Sequence, residues 1–187
     1  MPNVIQILHN DCSNGDGIRV SIWIAGCTCK CKGCYSVNTW NFNQGFEYTQ
    51  ETEDMIIDSL SRTYIKGISI SGGNPVEPRN LADGWLIKLV KRIKEELPNK
   101  TIYCWSGRYY EDCLYDPNFA EFIQYVDMLR DGPYMPTYNN LRQWLQGSTN
   151  QRYVDCKRSL EEGHYVEYSF GEPYDSKKER LTEQDNN

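Results

Sequence analysis

The feature that most constrains this chain is an apolar, β-branched run that empties directly into cysteines. VSIWIAG at residues 20–26 is followed by CTCKCKGC at residues 27–34. A run so rich in Val, Ile and Trp reads as a buried strand, and Gly26 ends it. Four thiols within eight residues must then be placed at one end of that strand. Two registers are open. Cys27, Cys31 and Cys34 give C-x3-C-x2-C with Cys29 as a passenger, whereas all four give a closed knot, C-x-C-x-C-x2-C.

The rest of the pattern supplies a scaffold. A helix is expected over residues 52–64, capped by Thr52, with Met55, Ile56, Leu60 and Tyr64 on its apolar face. KGISISGGNP then reads as a strand ending in a Gly-Gly turn. In the next segment Leu81, Trp85, Leu89, Ile93 and Leu97 recur every four residues, which predicts one amphipathic helix ended with the help of Pro98. TIYCWSG (101–107) reads as a third strand. PNFAEFIQY reads as a short helix with Phe119, Phe122 and Ile123 inward, and VDMLRDGPY as a fourth strand and turn. YVEYSF (165–170) is expected to be a last strand. Strands alternating with helices predict an α/β fold with a mostly parallel sheet. The cysteine loop, Gly72-Gly73, Ser106-Gly107 and Asp131-Gly132 each follow a predicted strand. In such sheets they converge at the carboxyl edge, where ligands bind.

The 187 residues and net charge of −6 fit one domain with no basic field for nucleic acid. Residues 1–170 are expected to form that domain and 171–187 a polar tail. No apolar run approaches the roughly 18 residues of a membrane span. The first residues show no basic-then-apolar leader, so a cytoplasmic protein is expected. In a reducing cytosol, clustered cysteines are read as metal or redox groups. The isolated Cys12, Cys104, Cys113 and Cys156 are expected to be small buried hydrophobes.

Structural zinc normally ties distant segments together with four ligands, and four cysteines this close leave nothing to clamp. Cys29 and Cys31 are awkward partners as well. Extended backbone alternates its side chains, so the loop must twist to aim both inward, and Cys29 is expected to point away. A cubane iron-sulfur cluster held by three cysteines instead leaves one iron open for a substrate. Lys30 and Lys32 flank the ligands, either offsetting cluster charge or as plain surface charges.

C-x3-C-x2-C followed by the aromatic Tyr35 resembles the signature of the radical S-adenosylmethionine enzymes. SGGNP after the next strand sits where that family carries its Gly-Gly-acidic motif. Within the family, Asp16-Gly17-Ile18-Arg19, GCYSVNTW, RDGPY at residues 130–134 and GSTNQR at residues 147–152 resemble the glycyl-radical activases of anaerobic ribonucleoside-triphosphate reductase. The resemblance implies an open, partial βα barrel. It implies one 4Fe-4S cluster on Cys27, Cys31 and Cys34, with S-adenosylmethionine on the remaining iron. Reductive cleavage of that cofactor is implied to place a radical on a glycine of the large reductase subunit, with a flavodoxin-like protein as electron donor. Gly33, Cys34, Tyr35, Gly72, Gly73 and Asn74 are the implied cofactor contacts, with Tyr35 near the adenine; Ser106 is expected either to contact the cofactor or only to turn its strand into a loop. No side chain is implied as an acid or base. Gly-Gly-Asn departs from the pattern, because Asn74 can accept a hydrogen bond but brings no charge.

Asp131 is expected to contact the cofactor or partner, or only to shape its turn. Asn150, Gln151 and Arg152 are candidates for seating the partner, and Tyr109, Tyr110, Tyr134 and Tyr138 for an exposed aromatic interface. Trp40 is expected to pack over the cysteine loop. His9 and His164 have no evident partner and are read as non-catalytic. Two rival readings stand beside this one: an activase of another glycyl radical enzyme, and a non-catalytic four-cysteine metal module.

Overall fold

The computed structural model describes residues 2–140 and 144–170. Strand β1 (Asn3–Asp11) was not expected. Only Val4 and Asp11 of its nine residues are buried, so its apolar pattern is faint. β2 (Ile18–Ile24) is the apolar run before the cysteines. A short β3 (Phe46–Glu47) precedes helix α1 (Gln50–Ser61). β4 (Ile65–Gly72) leads to α2 (Pro78–Ala82) and α3 (Trp85–Glu96). β5 (Thr101–Trp105) is followed by α4 (Tyr110–Cys113) and α5 (Pro117–Phe122). β6 (Met128–Asp131), β7 (Arg152–Asp155) and α6 (Cys156–Glu162) complete the series.

The strands form one sheet in the order β3-β1-β2-β4-β5-β6-β7. The four central strands, β2, β4, β5 and β6, are parallel. β1 and β7 flank them antiparallel, and the sheet does not close. Side chains alternate across a sheet, and here the two faces divide by chemistry. Val20, Ile22, Ile24, Ile68, Ile70, Ile102, Cys104, Leu129 and Val154 join the core with Ile56, Leu60, Leu89, Ile93, Phe119 and Phe122 from the helices. Full burial of each such side chain contributes about 1.5–3 kcal/mol. The intervening residues, among them Ser21, Trp23, Ser69, Ser71, Tyr103, Trp105 and Arg130, lie on the opposite face.

At the amino ends of the strands a fully buried Arg19 ties three of them together. Its guanidinium donates to Ser69 Oγ at 2.8 Å, to Thr101 Oγ1 at 2.9 Å and to the carbonyls of Ile68 and Thr101 at 2.9 and 3.0 Å. It also pairs with Asp16 at 3.3 Å and lies 3.8 Å from the centre of the Tyr103 ring. A buried charge is tolerated when it is paired and hydrogen-bonded this fully.

Several expectations need correcting. The cap of α1 is Thr49, whose side chain accepts from the Thr52 backbone; Thr52 is the reciprocal partner of that capping box. Ile56 and Leu60 are inward, but Met55 and Tyr64 are exposed. The helix expected from Leu81 onward is two helices, because Gly84 takes a left-handed φ of 69° between them. Residues 165–170 are not a strand; only Glu167 bridges, to Val154. Cys12 is exposed, whereas Cys104, Cys113 and Cys156 are buried as expected. Tyr110 is buried and drops out of the exposed aromatic set. His9 has a partner, Ser59 Oγ, 2.7 Å from its Nδ1, and His164 Nε2 lies 3.7 Å from the Glu162 carboxylate. The tail expected at 171–187 lies outside the described residues.

Candidate iron-sulfur and cofactor site

The loops that leave the parallel strands at their carboxyl ends line one cavity of about 400 Å³. The cysteine loop contributes Cys27, Cys29, Cys31, Cys34 and Tyr35, and β4 contributes Ser71, Gly72 and Gly73. Ser106 and Gly107 follow β5, and Arg130 and Gly132 come from the end of β6.

The cysteine loop is pinned at its root. Gly26 N donates to Thr39 O at 2.7 Å and Cys27 N to Trp40 O at 3.2 Å, so the Thr39 and Trp40 backbone braces the loop. Gly26 has φ of 98°, and a Cβ there would lie 2.1 Å from the Phe42 ring. The Gly72-Gly73 turn packs against the same root. Gly73 N donates to Ile24 O and Asn74 N to Gly26 O, both at 2.8 Å. A Cβ on Gly73 would sit 2.3 Å from Gly26 O, so only glycine permits this approach.

Glu77 is a residue that sequence reasoning missed. It is buried, and its carboxylate accepts from Thr28 Oγ1 at 2.7 Å, Thr28 N at 3.3 Å and Asn74 Nδ2 at 3.2 Å. It therefore clamps the cysteine loop to the SGGNP turn. The signal available in sequence was only an acidic residue three positions beyond an unexpected Asn74.

Cys29 corrects a further expectation, because it lines the cavity with the other three cysteines. Lys30, between Cys29 and Cys31, takes a left-handed φ of 45°. That reversal breaks the alternation of extended backbone, so both neighbours can face one space. Cys29 Sγ lies 3.6 Å from Gly107 O and 3.7 Å from Asn74 Nδ2. A hydrogen bond between the two thiols lowers the pKa of Cys27, and the same bond together with burial raises that of Cys29. Farther along, Gly33 turns the chain with φ of 72°, Cys34 N donates to Cys31 O at 3.1 Å, and Ser36 N donates to Cys34 Sγ at 3.3 Å.

Among the expected contacts, Cys27, Cys31, Cys34, Tyr35, Gly72, Gly73 and Ser106 all line the cavity. Gly33 and Asn74 do not. Asn74 is fully buried, with its side chain spent on Glu77, Cys29 and the Gly107 N–H. Tyr35 is 67% exposed at the rim, its ring centre 5.3 Å from that of Tyr134. Ser106 Oγ holds its own turn, bonded to the N–H and carbonyl of Arg108. Asp131 is fully buried and accepts from Tyr110 N and Arg152, so its bonds are structural. Gln151 is buried too, accepting from Gly147 N and Ser148 N, while Asn150 donates to Pro133 O.

Among the described residues no His, Asp or Glu lines the cavity, and its metal-ligating donors are the cysteine sulfurs. None of the cysteines is in a disulfide. Among the described residues no three His, Cys, Asp or Glu gather closely enough to hold a single metal ion. Several cysteines around one cavity suit an iron-sulfur cluster, whose usual protein ligands are cysteines. Among the described residues no helix is long and apolar enough to cross a membrane.

Comparison with known proteins agrees with this donor set. Residues 13–154 match the family described as 4Fe-4S single cluster domain, so the class is an iron-sulfur domain built around one cluster. The chain is 40% identical over 151 residues to a Vibrio cholerae protein, covering 80% of this chain and 95% of that one. It is 39% identical over 153 residues to an Escherichia coli protein, covering 80% and 96%. With a Haemophilus influenzae protein the identity is 36% over 151 residues, covering 80% and 95%. All three relatives are named anaerobic ribonucleoside-triphosphate reductase-activating protein. The chain belongs to the family of anaerobic ribonucleoside-triphosphate reductase-activating proteins.

Proposed function

We propose that this protein is a radical S-adenosylmethionine enzyme that generates the glycyl radical of anaerobic ribonucleoside-triphosphate reductase, and so supports deoxyribonucleotide synthesis. The observation that carries the proposal is the meeting of the cysteine loop, Gly72-Gly73 and the Ser106 turn around one cavity. Kinship with the activating proteins supports the choice of partner. We read the open sheet as a partial barrel and residues 1–170 as one working domain. The site of action is taken to be the cytoplasm, with a flavodoxin-like donor.

In this reading Cys27, Cys31 and Cys34 hold a 4Fe-4S cluster and Cys29 is not a required ligand. Bound there, the cluster and S-adenosylmethionine would supply the one-electron reductive chemistry that generates a radical able to take hydrogen from the partner glycine. The chain's own work is placement. Glycine at 72 and 73 lets the turn pack against the backbone of Ile24 and Gly26, which holds the turn at the wall of the cavity. Tyr35 at the rim offers a ring face to the adenine. The sheet's open side admits a loop of the partner, and the packed loops shield the reacting centre from water.

Anaerobic reconstitution with iron and sulfide, followed by electron paramagnetic resonance of the reduced protein, tests this. The expected result is a cluster signal that changes shape when S-adenosylmethionine is added, followed by a glycyl radical on the purified reductase subunit. A signal indifferent to the cofactor would return the four-cysteine metal module to first place. Cofactor cleavage without a radical on that subunit would point to another glycyl radical enzyme. Cys31→Ser is expected to lose most of its iron and Cys29→Ser to keep it, measured as iron per protein. Equal loss in both would overturn the three-cysteine register.

A further inference from the structure

In that chemistry one cysteine of the cavity has no task. Cys29 stands in the same loop as Cys27, Cys31 and Cys34 and lines the same space. The backbone brings it there, because Lys30 turns the chain with φ of 45° between Cys29 and Cys31. The Cys29 sulfur meets the two turns that follow β4 and β5. It lies 3.7 Å from Asn74 Nδ2 and 3.6 Å from Gly107 O. On its other flank a hydrogen bond links it to the Cys27 thiol. Glycine at 107 keeps the place free, since a Cβ there would sit 2.8 Å from Cys29 Sγ.

The two contacts with the turns are long, and a thiol is a weak donor and a weak acceptor that needs neither. A thiolate, by contrast, is a strong ligand for iron. Cys34 is held within its own loop, where its sulfur accepts from Ser36 N at 3.3 Å. Cys29 instead stands between the cysteine loop and the turns read as the seat of the cofactor. A cluster on Cys27, Cys31 and Cys34 has one iron left over, and that iron faces the cofactor. Cys29 is the sulfur on that side.

We propose that Cys29 is a fourth, displaceable ligand, which caps the open iron while S-adenosylmethionine is absent and yields it when the cofactor arrives. The proposal rests on the three-cysteine cofactor reading. The exchange moves no electrons. The Cys29 sulfur leaves the iron and takes up the proton that the cofactor's ammonium group releases on ligation. A cap of this kind shields the open iron from oxidants. It also weakens cofactor binding, because a site open for a fraction of the time binds more weakly by that fraction.

The test uses the full chain, reconstituted anaerobically with iron and sulfide, beside Cys29→Ala and Cys29→Ser. Serine keeps nearly the same volume against Gly107 and Asn74 but is a much poorer iron ligand, so it separates ligation from packing. Without cofactor, each protein receives a limiting amount of ferricyanide, which strips the open iron of a three-cysteine cluster. The three-iron product is counted by electron paramagnetic resonance. For an open fraction of about one-tenth, wild type should give about tenfold less of it than either variant, and both variants should bind S-adenosylmethionine about tenfold more tightly in equilibrium dialysis with the cluster oxidised. Equal stripping in all three proteins overturns the proposal, and so does a serine variant that behaves as wild type. Failure of both variants to load iron overturns it as well, because Cys29 is then a permanent ligand. Protection in wild type, with no cofactor bound by any of the three, upholds the ligand and overturns the cofactor reading instead.

Discussion

At the residue scale, the site was legible where chemistry is written in residue type. Four clustered cysteines and a Gly-Gly turn announce themselves in any sequence. The groups that hold them in place do not. Glu77 acts on Thr28, 49 residues away, and Cys29 reaches Gly107 across 78. Nothing in local sequence signals such pairs. Cys29 was misread for a specific reason, that the alternation rule holds only until a residue such as Lys30 turns left-handed. Glu77 makes a prediction at this scale. Glu77→Ala removes the acceptor that ties Thr28 to the SGGNP turn and leaves the buried Asn74 amide with only Cys29 Sγ, at a cost of about 1–3 kcal/mol. The protein should still fold, but iron incorporated on reconstitution should drop. Iron incorporation equal to wild type would show that the clamp is dispensable.

At the element scale, strands buried on both faces were readable and half-exposed ones were not. β2 and β4 carry a β-branched residue at alternate positions, Val20, Ile22 and Ile24 in one and Ile68 and Ile70 in the other, and most of their residues are buried. β1 and β7 are flanking antiparallel strands with few buried residues, and β7 has only four residues in all. The helix from Leu81 onward looked continuous because its four-residue spacing survives the break at Gly84. That break is testable. A Cβ on Gly84 would meet nothing within 4 Å, so Gly84→Ala has no steric clash to confound it. Its left-handed φ should cost about 1 kcal/mol, read as a lower denaturation midpoint with an unchanged slope. A midpoint equal to wild type would mean that the junction relaxes freely. For comparison, truncating the fully buried Ile56 to Ala in α1 should cost about 2–5 kcal/mol.

At the scale of the whole molecule, the α/β class followed from alternating strand and helix signals, but strand order did not. Nothing local says that β1 pairs beside β2 or that β7 reverses direction. The loop after β1 shows what that placement achieves. Asp11 accepts from Ser13 N at 2.8 Å, Asn14 Nδ2 at 2.6 Å and Ser21 Oγ, and Ser13 and Asn14 line the cavity. Burial acts to raise the Asp11 pKa, yet these hydrogen bonds outweigh it and the value falls below 3.8. A carboxylate whose pKa is lowered by folding contributes stability above its unfolded pKa and loses it as the pH falls through the folded one. Asp11→Asn should therefore be less stable than wild type at neutral pH, and the gap should narrow below about pH 4. Thermal melts across that range check it, and a gap that stays constant would show that the carboxylate charge is not what the fold uses.

The division between the two faces of the sheet has a practical consequence. The main core cluster lies between the sheet and the helices, and none of Cys27, Cys29, Cys31 or Cys34 is in it. A small zinc module collapses when a chelator takes its metal, because metal binding and folding are one event there. Here the two are separable. Preparations exposed to air should lose colour and iron yet melt near the temperature of the loaded protein. They should keep in the cold as a folded, empty shell and regain the cluster when thiol reductant, iron and sulfide are returned under nitrogen.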